Sequence, residues 1–172
     1  MKIFLCFAFL LTSCNVATFP QGGSFQSQQE RKLADLFRGN ARQKRPVMIY
    51  DQRLARAARA KAYDMARRGY FAHVDPDGNG ANVLISRTGY RLPPIYLTSR
   101  ELNFVESLAG GHDTAEETYQ QFLTSALHRR HLLGENPVYA AQTRIGVGYA
   151  YVPDSKVVHY WAVLTAPAEV GR

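Results

Sequence analysis

Residues 144–152 (RIGVGYAYV) and 157–165 (VVHYWAVLT), with Pro153, Asp154 and Ser155 between them, decide the fold. The second run is dense in β-branched and aromatic residues, and the first alternates in part, which is the composition of strands. Proline, aspartate and serine together make a turn. The two runs therefore predict a β-hairpin at the end of the chain. Upstream, the apolar spacing changes to that of helices.

Working back from the hairpin, Thr114 and Glu117 form a capping box and open a helix with Tyr119, Phe122, Leu123 and Ala126 facing inward. A further helical turn carries His128 to Leu133. Asp51 caps an earlier helix in which Leu54, Ala58, Ala62 and Met65 recur at helical spacing and Gly69 is the stop. Its other face carries Arg53, Arg56, Arg59, Arg67 and Arg68, read as a solvated face. Residues 81–88 predict a short helix, and residues 91–102, with Pro93 and Pro94, a loop. A first helix runs from a Ser27 cap to Arg38, with Leu33, Leu36 and Phe37 on one face and Gly39 as its stop. Helices first and strands last predict an α+β arrangement on an antiparallel sheet.

The 172 residues are 46% hydrophobic and 12% aromatic, enough for one folded domain and too many for a disordered chain. The only cysteines are Cys6 and Cys14, so the body of the protein has neither a disulfide framework nor a cysteine-built zinc site. With 21 basic against 14 acidic side chains, the formal charge is +7.

The start of the chain reads as an address. Lys2 precedes a short apolar run that ends in Leu11-Thr12-Ser13-Cys14, too short to span a bilayer but suited to export. The ending resembles a bacterial lipoprotein box. Residues 1–13 are then a signal peptide, and Cys14 carries acyl chains such as palmitate that hold the protein to a membrane. Asn15 after the cysteine favours the outer membrane in a Gram-negative cell. Residues 14–27 read as the lipidated cysteine and a flexible tether, and residues 28–172 as the domain. An exported protein rarely meets nucleic acid, so no nucleic-acid partner is expected.

No G-x-S-x-G elbow, H-E-x-x-H pair or phosphate loop occurs. Asp75, Asp77, Asn79 and Gly80 imitate the opening of a calcium loop, but position 12 is Ser86, which supplies no bidentate carboxylate. A tight turn held by Asp and Asn side chains is the better reading. His73, at the end of an aromatic segment, and His128, after a helix, stand out among five histidines. Glu106 lies in an apolar stretch, where a carboxylate needs a partner. These three form a candidate divalent-metal set, with zinc the natural ion.

Six motifs in order resemble the CAP superfamily of cysteine-rich secretory, antigen 5 and pathogenesis-related 1 proteins, in a disulfide-free bacterial form. Residues 49–60 (IYDQRLARAARA) are similar to W-D-x-x-L-A-x-x-A-x-x-x-A. Phe71, His73, Asp75, Pro76, Asp77 and Gly78 resemble F-S-H-x-x-P-D-G. Residues 105–110 (VESLAG) stand where the family has G-E-N-I-A. Residues 122–129 (FLTSALHR) resemble W-x-x-S-P-x-H-R. Residues 144–148 match the I-G-V-G strand, and Tyr160 and Trp161 the final Y-W strand.

The resemblance implies a three-layer α-β-α sandwich with a central cleft lined by two histidines and two glutamates, which bind a divalent metal in some members. His73, Glu106 and His128 match three of the four. Ser125 occupies the region of the missing glutamate and, with Asp75, is expected to line the cleft. Of three functions, the first is a non-catalytic cleft for an envelope polymer, peptide, glycan or lipid ligand. The second is a metal-dependent hydrolase with Glu106 as general base. The third is an envelope-structural protein that uses the arginine face.

Overall fold

A computed structural model describes residues 24–169. The expected signal peptide, Cys14 and most of the expected tether lie outside that range. Helix α1 (Ser24–Arg38) begins three residues ahead of the Ser27 cap. It is followed by β1 (Ile49–Tyr50), α2 (Gln52–Arg68) and α3 (Ala81–Ser86). Then come β2 (Glu106–Gly110), α4 (Ala115–Thr124), α5 (Ala126–Leu132), α6 (Pro137–Ala140), β3 (Arg144–Tyr151) and β4 (His159–Ala166).

The predicted hairpin is β3–β4, antiparallel over eight residue pairs from Arg144↔Ala166 to Tyr151↔His159. Sheet order is β1-β3-β4-β2. The expected antiparallel sheet needs one correction: the two-residue β1 runs parallel to β3 at one edge. Strands β1 and β2 were not predicted, since the first is two residues long and the second owes its pairing to β4, far along the chain.

Alternation along β3 and β4 builds two cores, one on each face. Ile145, Val147, Tyr149, Trp161 and Val163 face one way and pack with Leu33 and Phe37 of α1 and Phe122 of α4. Ala150, Tyr160, Ala162 and Leu164 face the other way and pack with Leu54, Ala58, Ala62 and Met65 of α2. The glycines of I-G-V-G fall on the α2 face. A Cβ at Gly146 would overlap the backbone of Leu54 and Ala55, and one at Gly148 the backbone of Ala58 and Arg59. Their missing side chains let α2 lie directly on the sheet.

Helix α2 starts and stops where the sequence predicts. The Asp51 side chain accepts from the backbone N–H groups of Arg53 and Leu54, and Gly69 closes the helix at φ 69°. Its arginine face is less uniform than predicted. Arg53 is bonded to Glu169 at 2.7 Å, Arg59 to the buried Glu30, and Arg68 to Asp77 at 2.8 Å. Glu30 Oε1 also accepts from the Tyr149 N–H at 3.0 Å, tying α1, α2 and β3 together. The Thr114 cap of α4 is present, with its hydroxyl accepting from the Glu117 N–H. Ala126 is exposed rather than inward, because α4 ends at Thr124 and Ser125 starts a new helix in another direction.

Candidate functional site

The fold brings His73, Glu106 and His128 to one cleft of about 260 Å³, together with Asn103, Phe104 and Tyr139. His73 sits on the irregular segment between α2 and α3. Its carbonyl accepts from Lys61 Nζ at 3.1 Å, which ties the segment to α2. Glu106 opens β2, and Asn103 sets its place. The Asn103 side-chain oxygen accepts from the Glu106 N–H at 2.9 Å, and its amide donates to the Glu106 carbonyl at 3.1 Å. His128 lies on α5, whose N-cap is Ser125.

Glu106 and His73 form a pair, with Nδ1 2.8 Å from Oε1. The Glu106 side chain is 0% exposed and that of His73 43%. The carboxylate is thus sealed behind the ring and fixes it from the rear, while the far edge of the imidazole stays free to face the cleft. Glu106 Oε2 is buried and, among the described residues, has no hydrogen-bond partner. His128 packs edge-on against Phe122 at 5.2 Å between ring centres. Burial, and secondarily the nearby His73, lowers its pKa below the usual imidazole range, so the ring is neutral at pH 7. It also borders a second hollow of about 320 Å³ with Phe71, Leu108 and Val157. His128 therefore lines both hollows.

Two expected lining residues lie elsewhere. Asp75 Oδ1 accepts from the backbone N–H groups of Asp77 and Asn79 at 2.9 and 2.8 Å, and both its oxygens accept from the Asn79 amide. This is the Asp–Asn turn read from the sequence, and Asp75 faces a different groove, beside Lys61. Ser125 is not in the cleft wall; its hydroxyl caps α5 by accepting from the His128 N–H.

The expected zinc triad does not assemble as ligands. Among the described residues, no group of three or more His, Cys, Asp or Glu side chains is arranged to hold a metal ion. Glu106 Oε1 is bonded to His73 Nδ1, and two imidazoles fall short of the three protein ligands of a catalytic zinc site. The Glu106 side chain, expected as a general base, is 0% exposed and bonded to the half-exposed His73 ring.

His131, three residues after His128 on α5, is 4% exposed. Its Nδ1 lies 2.7 Å from the Ser107 hydroxyl and its Nε2 2.6 Å from that of Thr165. Thr165 donates onward to Gln142 Oε1 at 2.5 Å. That direction makes Nε2 the protonated nitrogen and Ser107 the donor to Nδ1. Burial, then the Arg45 charge, pushes the His131 pKa down to about 3. The chain of bonds underpins β2 directly beneath Glu106.

Ser107, Asn103 and Lys61 were not singled out from the sequence. Lys61 alone had a signal there: it falls four residues after Ala57 and seven after Leu54, on the apolar stripe of α2, and it is 2% exposed.

The match to known proteins agrees with this geometry. Residues 30–165 match the model of the CAP, or cysteine-rich secretory protein, family. The chain belongs to that family. It is 31% identical over 125 residues to the uncharacterized protein YkwD of Bacillus subtilis (strain 168), covering 72% of this chain and 43% of that one. An extracellular protein of Bacillus anthracis str. Ames containing an SCP domain superposes with a TM-score of 0.64 at 22% identity, over 83% of this chain and 41% of the other. An outer surface protein of Borrelia burgdorferi superposes with a TM-score of 0.60 at 17% identity, over 86% of this chain and 95% of the other. The chain thus spans under half the length of the two Bacillus proteins and nearly all of the Borrelia one.

Proposed function

We propose that this protein is an extracytoplasmic binding module, tethered to a membrane through lipidated Cys14, whose histidine cleft captures a peptide or glycan of the cell envelope or surroundings without catalysis. The observation that carries it is the sealed Glu106 carboxylate behind the half-exposed His73 ring. That arrangement fixes the orientation of a half-exposed imidazole toward a ligand, while the carboxylate itself is held away from water. Asn103, Tyr139 and the two imidazoles offer hydrogen bonds, and the hollow beyond His128 accepts an apolar group. The extracellular and outer-surface descriptions of the Bacillus anthracis and Borrelia proteins support the location.

Against the metal-dependent hydrolase reading, no group of three or more His, Cys, Asp or Glu side chains that could hold a metal ion occurs among the described residues. The envelope-structural reading loses most of its arginine face to ion pairs within the domain. The test follows the histidine NMR signals while peptidoglycan fragments and envelope peptides are added, and separately zinc. Joint movement of His73 and His128 with a peptide or glycan, lost in His73→Ala, is expected. Tight zinc binding by both rings, with hydrolysis of the same compounds by the zinc-loaded protein, would replace binding with catalysis.

A further inference from the structure

The groove between α2 and α3 is larger than the histidine cleft, at about 490 Å³. That lies within the range of small-molecule sites. Its floor is aliphatic, formed by Ala57, Ala60 and Leu84. Charged side chains line it as well, and their bonding divides them. Asp64 accepts from the Tyr70 hydroxyl at 2.6 Å, and Asp77 from Arg68 at 2.8 Å. Asp75 is consumed by its own turn. Each acid is therefore satisfied within the protein. Lys61, also in the wall, is spent on the Tyr70 hydroxyl and the His73 carbonyl.

Arg56 of α2 and Arg87, which caps the end of α3, are different. Both are exposed, both line this groove, and among the described residues neither guanidinium makes a hydrogen bond or an ion pair. They come from separate elements, so the fold, not chain proximity, places them along one hollow.

Two unmatched guanidinium groups beside an aliphatic floor are complementary to a molecule with an acidic head and a hydrocarbon chain. A bare anion would leave the floor wet, and a neutral lipid would leave the arginines unmatched. Guanidinium forks suit carboxylate and phosphate oxygens in paired hydrogen bonds. We propose that this groove binds a single-chain anionic amphiphile, with its carboxylate or phosphate head held by Arg56 and Arg87 and its chain laid over Ala57, Ala60 and Leu84. The site is separate from the histidine cleft and does not depend on the function proposed for it.

The experiment uses the whole chain with Cys14→Ser, free of a lipid of its own, and probes kept below their micelle concentrations. Dodecyl phosphate and dodecanoate are titrated in parallel, with inorganic phosphate and dodecyl maltoside as the two half-ligands. Calorimetry gives affinity, and amide NMR gives position. At least one anionic probe is expected to bind and shift Ala57, Ala60 and Leu84, and the tighter one identifies the head group. Both half-ligands should bind roughly tenfold or more weakly, and the Arg56→Gln/Arg87→Gln double variant should lose about tenfold in affinity. Both arginines are exposed, so an unchanged melting temperature is expected of that variant. The proposal falls if neither anionic probe binds, if dodecyl maltoside binds as tightly, if the double variant binds as the parent does, or if the shifts fall only around His73 and His128.

Discussion

Acidification should destabilise this protein through one buried imidazole, that of His131. His131 is almost fully enclosed, both its nitrogens are engaged by hydroxyls, and its pKa falls from 6.5 to about 3. The unfolded chain takes up a proton near pH 6.5, while the folded chain refuses it until about pH 3. Stability from His131 is thus fully present above pH 6.5 and is lost as the pH falls below it. Each pH unit in that window costs about 1.4 kcal/mol, so the loss from pH 7.5 to pH 5 is about 2 kcal/mol. That is a sizeable share of a typical domain's stability of roughly 5–15 kcal/mol. His128, also lowered by burial, adds to the loss with the same sign. Urea unfolding at pH 7.5, 6.5, 5.5 and 5.0 measures the slope, and His131→Gln removes the group while leaving an amide to meet the hydroxyls. The variant should start less stable and show a flatter profile. Equal slopes in parent and variant, or an NMR titration of His131 with a midpoint above pH 6, would refute the reasoning.

Gly148→Ala places a Cβ against the backbone of α2, so an overpacking loss of about 3 kcal/mol is expected in thermal or urea unfolding. Ser107→Ala leaves His131 Nδ1 without its donor and should cost about 1–3 kcal/mol in the same assays. Glu106→Ala frees the His73 ring, and affinity for the cleft ligand should fall about tenfold by calorimetry, with the His73 signals broadened or moved. Cys14→Ser should abolish metabolic palmitate labelling and release the protein from the membrane fraction; labelling that persists removes the anchor.

Much of the fold was legible because it rests on local chemistry. Asp51 and Gly69 mark the two ends of α2, and Thr114 caps α4, since a helix end needs its backbone groups satisfied by residues next to it. The β3–β4 hairpin was readable because its strands are neighbours joined by a turn. Strand β2 was not, because only its distant partner β4 makes ESLAG a strand. The arginine face misled for the same reason: charge and spacing show which way a side chain points, not that Glu30 or Glu169 waits there.

The candidate site divides along the same line. The sequence by itself named His73, Glu106 and His128, because a carboxylate in an apolar stretch and two histidines in marked contexts stand out as residue types. Which of them meets water is a property of packing. Only the tertiary structure sealed Glu106 behind His73, buried His131 between Ser107 and Thr165, and moved Asp75 to another groove. Burial and hydrogen-bond partnership depend on residues 24 to 34 positions apart coming together, and no reading of local spacing contains that information.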